Sequence, residues 1–191
     1  GYNNFSGKGK VFFIDAATGQ TMSTITTTAG LPGSPSGLAQ IHAFVKNQNN
    51  QTAEQIYGGD LLGNVWRIDV SDPTDPTKYY KTAPAVLFAE LKDKLNVPQP
   101  VTTAPQIEID INNGIDRYVF VGTGRLLHSE DLIIPAIPQP QTMYAIRDGS
   151  LSTIIPPGPL LPIQPRVTMA SIDIASNGVA GIAGGAPNGW Y

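Results

Sequence analysis

The sequence predicts an all-β fold, a partial β-propeller of about three to four antiparallel blades with loop insertions. Three observations carry that expectation. The 191 residues are 41 % hydrophobic and only 14 % charged, and they include 20 Gly and 17 Pro. Gly and Pro cost about 1 and 3 kcal/mol in helix interiors, so this load of breakers excludes a long helical bundle. Next, GKVFFID (9–15), GNVWRID (63–69) and QTMYAIRD (141–148) share one grammar, large apolar residues alternating into a terminal Asp. That is the period-2 pattern of a half-buried strand followed by a turn. Finally, Val11, Val65, Met143 and Trp190 are separated by 54, 78 and 47 residues. Irregular repeats of this size, each holding several short strands, suit blades with insertions.

Taken along the chain, IHAFVK (41–46) alternates apolar residues behind the turn-rich GLPGSPSG. IYGGD–LLGN–VWRID (56–69) reads as strand, tight turn, strand, and PAVLFAEL (84–91) as a further strand or short helix. QIEIDI and IDRYVFV flank Asn113-Gly114, a strong two-residue hairpin signal because both central positions favour φ > 0. That turn places Asp110 opposite Arg117, with Ile107, Ile109 and Ile111 on the face of Tyr118 and Phe120. VFVGTGRLL (119–127) and QTMYAIRD form the next hairpin, its tip swollen into HSEDLIIPAIPQP (128–140). IIPPGPLLPIQP (154–165) reads as an inter-blade connection and RVTMASIDIAS (166–176) as an outer strand pair. GIAGGAPNGWY (181–191) begins a fourth copy, with Trp190 in the place of Trp66. Residues 1–191 are thus one propeller segment, truncated inside blades at both ends.

Composition excludes several function classes. A net charge of −3 and a pI near 5.2 supply no basic field for nucleic acid. No run approaches 18 consecutive apolar residues, so no helical membrane insertion is expected. Zero Cys removes thiolate metal sites and Cys nucleophiles, and two His (His42, His128) make a His-rich metal site unexpected. There is no G-x-S-x-G elbow, and GTGR (122–125) lacks the ending of a phosphate loop. Asp15, Asp60, Asp69 and Asp148 read as turn caps, His42 as a core or rim imidazole, and Trp66 and Trp190 as inter-blade packing. RDG (147–149) is not the integrin-type RGD. No catalytic and no cofactor-binding residue stands out.

GYNN, VFFIDAATG, GLAQI, YGGDLLGNVWRID, QPVTTAP, FVGTGRLL, QTMYAIRD and NGWY, in that order, resemble the carboxy-terminal β-propeller of the PilY family, the type IV pilus assembly and tip-adhesin proteins. The resemblance implies a fragment of such a propeller and a non-enzymatic role in type IV pilus (fimbrium) biogenesis, in resisting retraction, in twitching motility, and in cell adhesion at the pilus tip. It implies a cell-surface or pilus-tip location, outer membrane-associated or periplasmic in transit. The partners it implies are other regions of a parent protein, minor pilins, and a host or surface ligand. The family also carries a calcium loop, D-x-D-x-N/D-x-x-x-D, just before the YxGDLxGN hairpin. Here that stretch is KNQNNQTAEQ (46–55), with Asn47, Asn49, Gln51 and Gln55 in one register and Lys46, Gln48, Asn50 and Glu54 in the other. The candidate metal residues are therefore Asn47, Asn49, Gln51 and Glu54. Affinity in such loops follows ligand charge, so Ca²⁺ binding is expected to be millimolar or absent, and no other cofactor is expected.

Two other readings remain. VFFIDAATGQT resembles the repeat of quinoprotein (pyrroloquinoline quinone) dehydrogenases, which also need an acidic calcium set and a general base. A generic secreted binding propeller, for glycans, would expose clustered aromatics, and aromatics make up 8 % here. In the pilus reading, the apolar, Pro-rich insertions 128–140 and 153–165 suit docking onto another protein region.

Overall fold

A computed structural model describes residues 4–46, 49, 51–71, 83–110, 116–150, 169–174, 180–182 and 189–191. Twelve strands are seen there, with no α-helix among the described residues: β1 (Lys10–Ile14), β2 (Thr21–Thr26), β3 (Ile41–Phe44), β4 (Gln55–Gly59), β5 (Asn64–Asp69), β6 (Ala85–Glu90), β7 (Gln106–Asp110), β8 (Asp116–Gly122), β9 (Met143–Ser150), β10 (Ile172–Ile174), β11 (Ala180–Ile182) and β12 (Gly189–Trp190). All pairs are antiparallel. They form two four-stranded sheets, β3-β4-β5-β6 and β7-β8-β9-β12, and two ribbons, β1-β2 and β10-β11. This is a partial propeller-like β fold, and none of its sheets closes on itself.

The expected hairpins form where the alternation places them. In β4–β5, Asp60 accepts from the amides of Leu62 and Asn64, from Asn64 Nδ2 and from Trp66 Nε1, all within 3.0 Å. One carboxylate thus caps the turn and pins the following indole. Gly63 closes this turn at φ +77, where a Cβ would sit 2.5 Å from the Leu91 carbonyl oxygen, so only glycine fits. PAVLFAEL contributes β6, a strand rather than a helix.

The β3–β6 sheet is buried on both faces. Val65, Tyr57 and Phe88 join Val119, Val121, Tyr144 and Ile146 of the next sheet in one core. Ile56, Trp66 and Ile68 point the other way and join Val11 and Ile25 of the β1–β2 ribbon in a second. Alternation therefore assigns successive residues of β5 to different neighbours, as a stack of blades requires.

Three expectations are corrected. Ile109, not Asp110, pairs with Arg117, and Asp110 pairs with Asp116. The shift by one residue exchanges faces: Ile107 and Ile109 join Arg117, Val119 and Val121 at the seam, while Tyr118 and Phe120 lie on the opposite side. The pairing leaves five residues between the strands, and Asn113-Gly114 falls among them, outside the described residues. Second, Gly189-Trp190 pairs with β9 and so completes the third hairpin's sheet instead of opening a fourth copy; Trp190 is not the counterpart of Trp66. Residues 166–176 are described only in part, and there β10 pairs with β11. Third, Asp148 is no turn cap, as shown next. The connection 154–165 lies outside the described residues.

Candidate functional site

The seam between the two four-stranded sheets holds a buried polar cluster. Arg67 Nη1 donates to Asp148 Oδ1 at 2.5 Å, and the Tyr57 hydroxyl donates to the other oxygen of the same carboxylate. Both side chains of the ion pair are fully buried. Arg67 Nε also lies 3.2 Å from Asp69 Oδ1. A second guanidinium, Arg117, crosses from the other sheet to Gln55 Oε1 at 2.7 Å and sits 4.5 Å above the Phe44 ring, a cation–π contact. Burial pushes the Asp148 carboxyl above its ordinary range, with Arg67 and Tyr57 opposing part of that rise. Burial likewise raises Asp69 against the opposing charge of Arg67, and raises the Tyr57 hydroxyl well above its usual value. Arg67, Asp148, Tyr57 and Arg117 are all buried, with Asp69 at the edge of the cluster, so the group acts as a clasp between the two sheets.

The three terminal Asp residues meet three different fates. Asp15 is the exposed turn cap expected, accepting from the Ala17 and Thr18 amides and the Thr18 hydroxyl. Asp69 is half-enclosed beside Arg67. In the third copy one more residue separates Met143 from the Asp than separates Val65 from Asp69 (Val11 and Asp15 match the latter). Asp148 therefore faces the preceding sheet, and sequence spacing held that signal.

The exposed feature of this fold is the insertion between β8 and β9. Its base is closed by Thr123 and Thr142: the Thr123 amide donates to the Thr142 carbonyl at 3.0 Å, and the Thr142 amide to Thr123 Oγ1 at 2.8 Å. Asp131 gathers Arg125 Nε at 2.7 Å and the Leu127 and His128 amides at 2.8 and 3.1 Å. The Leu127 amide, then Arg125, lower its pKa to about 2. From the far end, Gln139 Nε2 reaches Asp93 Oδ2 and the Pro98 carbonyl, and Gln99 Nε2 reaches the Pro140 carbonyl. Held by these ties, Leu132, Ile133, Ile134 and Ile137 stand 68–89 % exposed. Asp93 presents Leu95, 83 % exposed, by capping the Leu95 and Val97 amides. An ordered loop with this much exposed aliphatic surface has the character of a binding surface. Beside it an open groove of about 510 Å³ is lined by Thr102, Gln106, Phe120, Arg125, Leu126 and Met143.

Of the candidate metal residues, Asn47 lies outside the described residues, while Asn49, Gln51 and Glu54 fall before β4. Gln51 has φ +56, and the Glu54 amide and carbonyl continue the ladder to Phe44 and Val70. Among the described residues no cluster of three or more His, Asp or Glu side chains gathers. Gln51, with His42, Lys46 and Glu108, edges an open groove of about 470 Å³ between β3 and β7. His42 is half-buried, with Nδ1 2.8 Å from the Pro105 carbonyl oxygen; His128 is exposed at the foot of the insertion. Trp66 is buried between sheets, as expected, whereas nothing is described for the Trp190 side chain. Among the described residues no helix is long and apolar enough to cross a membrane.

No family model matches the sequence. The chain is 28 % identical over 164 residues to the type IV pilus biogenesis factor PilY1 of Pseudomonas aeruginosa, a match covering 78 % of this chain and 14 % of that protein. It is 26 % identical over 168 residues to a PilY1 homolog of Xylella fastidiosa, covering 81 % and 11 %. The chain thus spans about a seventh or less of the length of these relatives. Its fold superposes on the crystal structure of the Pseudomonas aeruginosa PilY1 C-terminal domain with a TM-score of 0.71 at 19 % identity, covering 99 % of this chain and 45 % of that one. The ordered strand hairpins, the sheet-to-sheet seams and these matches agree: the chain is homologous to the PilY1 pilus biogenesis factors and has the fold of part of their C-terminal domain.

Proposed function

We propose that this chain is a segment of a type IV pilus biogenesis factor, in which it acts without catalysis as a propeller scaffold that presents binding loops, including in attachment at the pilus tip. The observation that carries the pilus assignment is the similarity to PilY1 over 78 % of the chain. The exposed aliphatic insertion, anchored at both ends, supports the scaffold role. Its partners on this reading are other regions of the parent protein, minor pilins and a surface ligand, at the cell surface or pilus tip. On the same reading the stretch 46–55 binds Ca²⁺ at millimolar level or not at all, since the candidates Asn47, Asn49, Gln51 and Glu54 bring a single carboxylate.

Deletion of the coding segment from its chromosomal gene is the direct test, with sheared surface pilin and attachment to abiotic surfaces as readouts. Loss of surface pili is expected; normal pili with normal attachment overturn the reading. Quinone absorbance with dye-linked alcohol oxidation by the purified protein would instead favour the quinoprotein alternative.

A further inference from the structure

The groove between β3 and β7 carries polar groups that the fold does not use. Both of its walls are edge strands. Among the described residues β3 pairs only with β4 and β7 only with β8, so each turns main-chain N–H and C=O groups outward. On the β3 wall, His42 has Nδ1 2.8 Å from the Pro105 carbonyl oxygen. A carbonyl only accepts, so Nδ1 carries the proton and the neutral ring keeps Nε2 as an acceptor. No second partner of His42 is found among the described residues. Lys46, four residues on, is exposed and has no ion-pair partner among them. The floor includes the aliphatic Ile107 and Ile109, which pack on the core between the sheets.

These groups define a ligand. The unpaired ammonium calls for an anion and Nε2 for an N–H donor, while strand edges suit a chain carrying donors and acceptors at regular intervals. A sugar fits less well: Phe44, the aromatic ring in the lining, is 8 % exposed and already lies under Arg117, which leaves no face for stacking. The volume of about 470 Å³ falls in the range of small-ligand sites, roughly 300–1,000 Å³. We propose that this groove binds a short extended peptide by its free carboxyl terminus, with the carboxylate on Lys46 and a main-chain N–H on His42 Nε2. Pairing along a strand edge supplies attraction, and the charged end sets the direction. Glu108, also on the groove's edge, disfavours acidic side chains in the peptide.

The protein is tested at its full natural length with two pools of N-acetylated tetrapeptides built from Ala, Val, Leu and Ser. One pool has free carboxyl termini and the other is amidated. Equilibrium dialysis with a mass-spectrometric readout gives the retained fraction of each. Retention of the free-carboxyl pool is expected to exceed that of the amidated pool about fivefold or more. Lys46→Gln should abolish that preference with Tm unchanged, since this side chain is exposed. His42→Phe should lower retention of both pools. Equal retention of the pools, no retention of either, or a preference that survives Lys46→Gln overturns the proposal. So does unchanged retention by a folded His42→Phe protein. Pili are not read in this experiment, so its failure leaves the pilus reading standing.

Discussion

Arg67 and Asp148 lie 81 residues apart in the chain and meet at 2.5 Å, fully buried, across the seam between neighbouring sheets. An isolated ion in such a place would cost several kcal/mol, so the pair is retained as a unit or lost as one. Arg67→Met should therefore destabilise the protein by about 3–5 kcal/mol at neutral pH, because Asp148 remains buried without its cation. The double replacement Arg67→Met with Asp148→Leu should recover part of that loss. Urea unfolding of the three proteins checks both statements.

Asp60→Ala removes the acceptor for two amides, Asn64 Nδ2 and the Trp66 indole N–H. Each buried donor left without a partner costs about 1–3 kcal/mol. A marked fall in Tm is expected, together with a shift in Trp fluorescence as the indole loses its fixed partner.

The pH response has two parts of opposite sign. Asp60, Asp69 and Asp148 are raised by burial, so the folded state takes up protons at higher pH than the unfolded chain does. The cost of their charge is fully present above the folded pKa and is relieved as pH falls through it. Tm should thus hold or rise between pH 7 and about pH 5. Asp131, lowered to about 2, behaves oppositely: its stabilisation is complete above the ordinary carboxylate range and is lost as pH falls towards 2. Proteolysis within 128–137 should accelerate in that acid range before the strands unfold. A steady fall in Tm from pH 7 to 5 would contradict the first part.

Ile134→Ser and Ile137→Ser alter side chains that are 80 % and 89 % exposed. Stability should change by less than about 0.5 kcal/mol, while surface piliation falls if the insertion contacts a partner. Unchanged piliation in the paired variant would remove this loop from the binding role.

Titration calorimetry with Ca²⁺ should give millimolar binding or none, since 46–55 contains one carboxylate, Glu54. Micromolar affinity would show that backbone carbonyls compensate for the missing charges.

The hairpins are legible because period-2 alternation and turn signals are local: β1, β3, β5, β7, β8 and β9 fall on stretches that alternate in sequence, and β4 precedes the tight turn at Asp60. The asparagine-glycine signal was local too, yet it gave the wrong register. The pairing Ile109–Arg117 places Arg117 where it reaches Gln55 on the neighbouring sheet, a contact far away in sequence. Asp148 departs from its expected turn-cap role for a similar reason. Its role depends on which face it occupies and on Arg67 opposite, and a motif ending in Asp says nothing about either. Trp190 shows the remaining weakness, since a short terminal copy of a motif can pair with an older sheet instead of starting a new one. For the insertion, composition alone announced exposed aliphatic residues, but the clamps made by Asp131, Gln139 and Gln99 needed coordinates.

Because the inner strands β4 and β5 of the β3–β6 sheet give one side to each neighbour, they have no solvent-facing surface on which to diversify. Whatever distinguishes this molecule's attachments from those of a similar one must then be written in the rim connections. A library intended to redirect its binding would randomise 132–137 and leave the strands untouched.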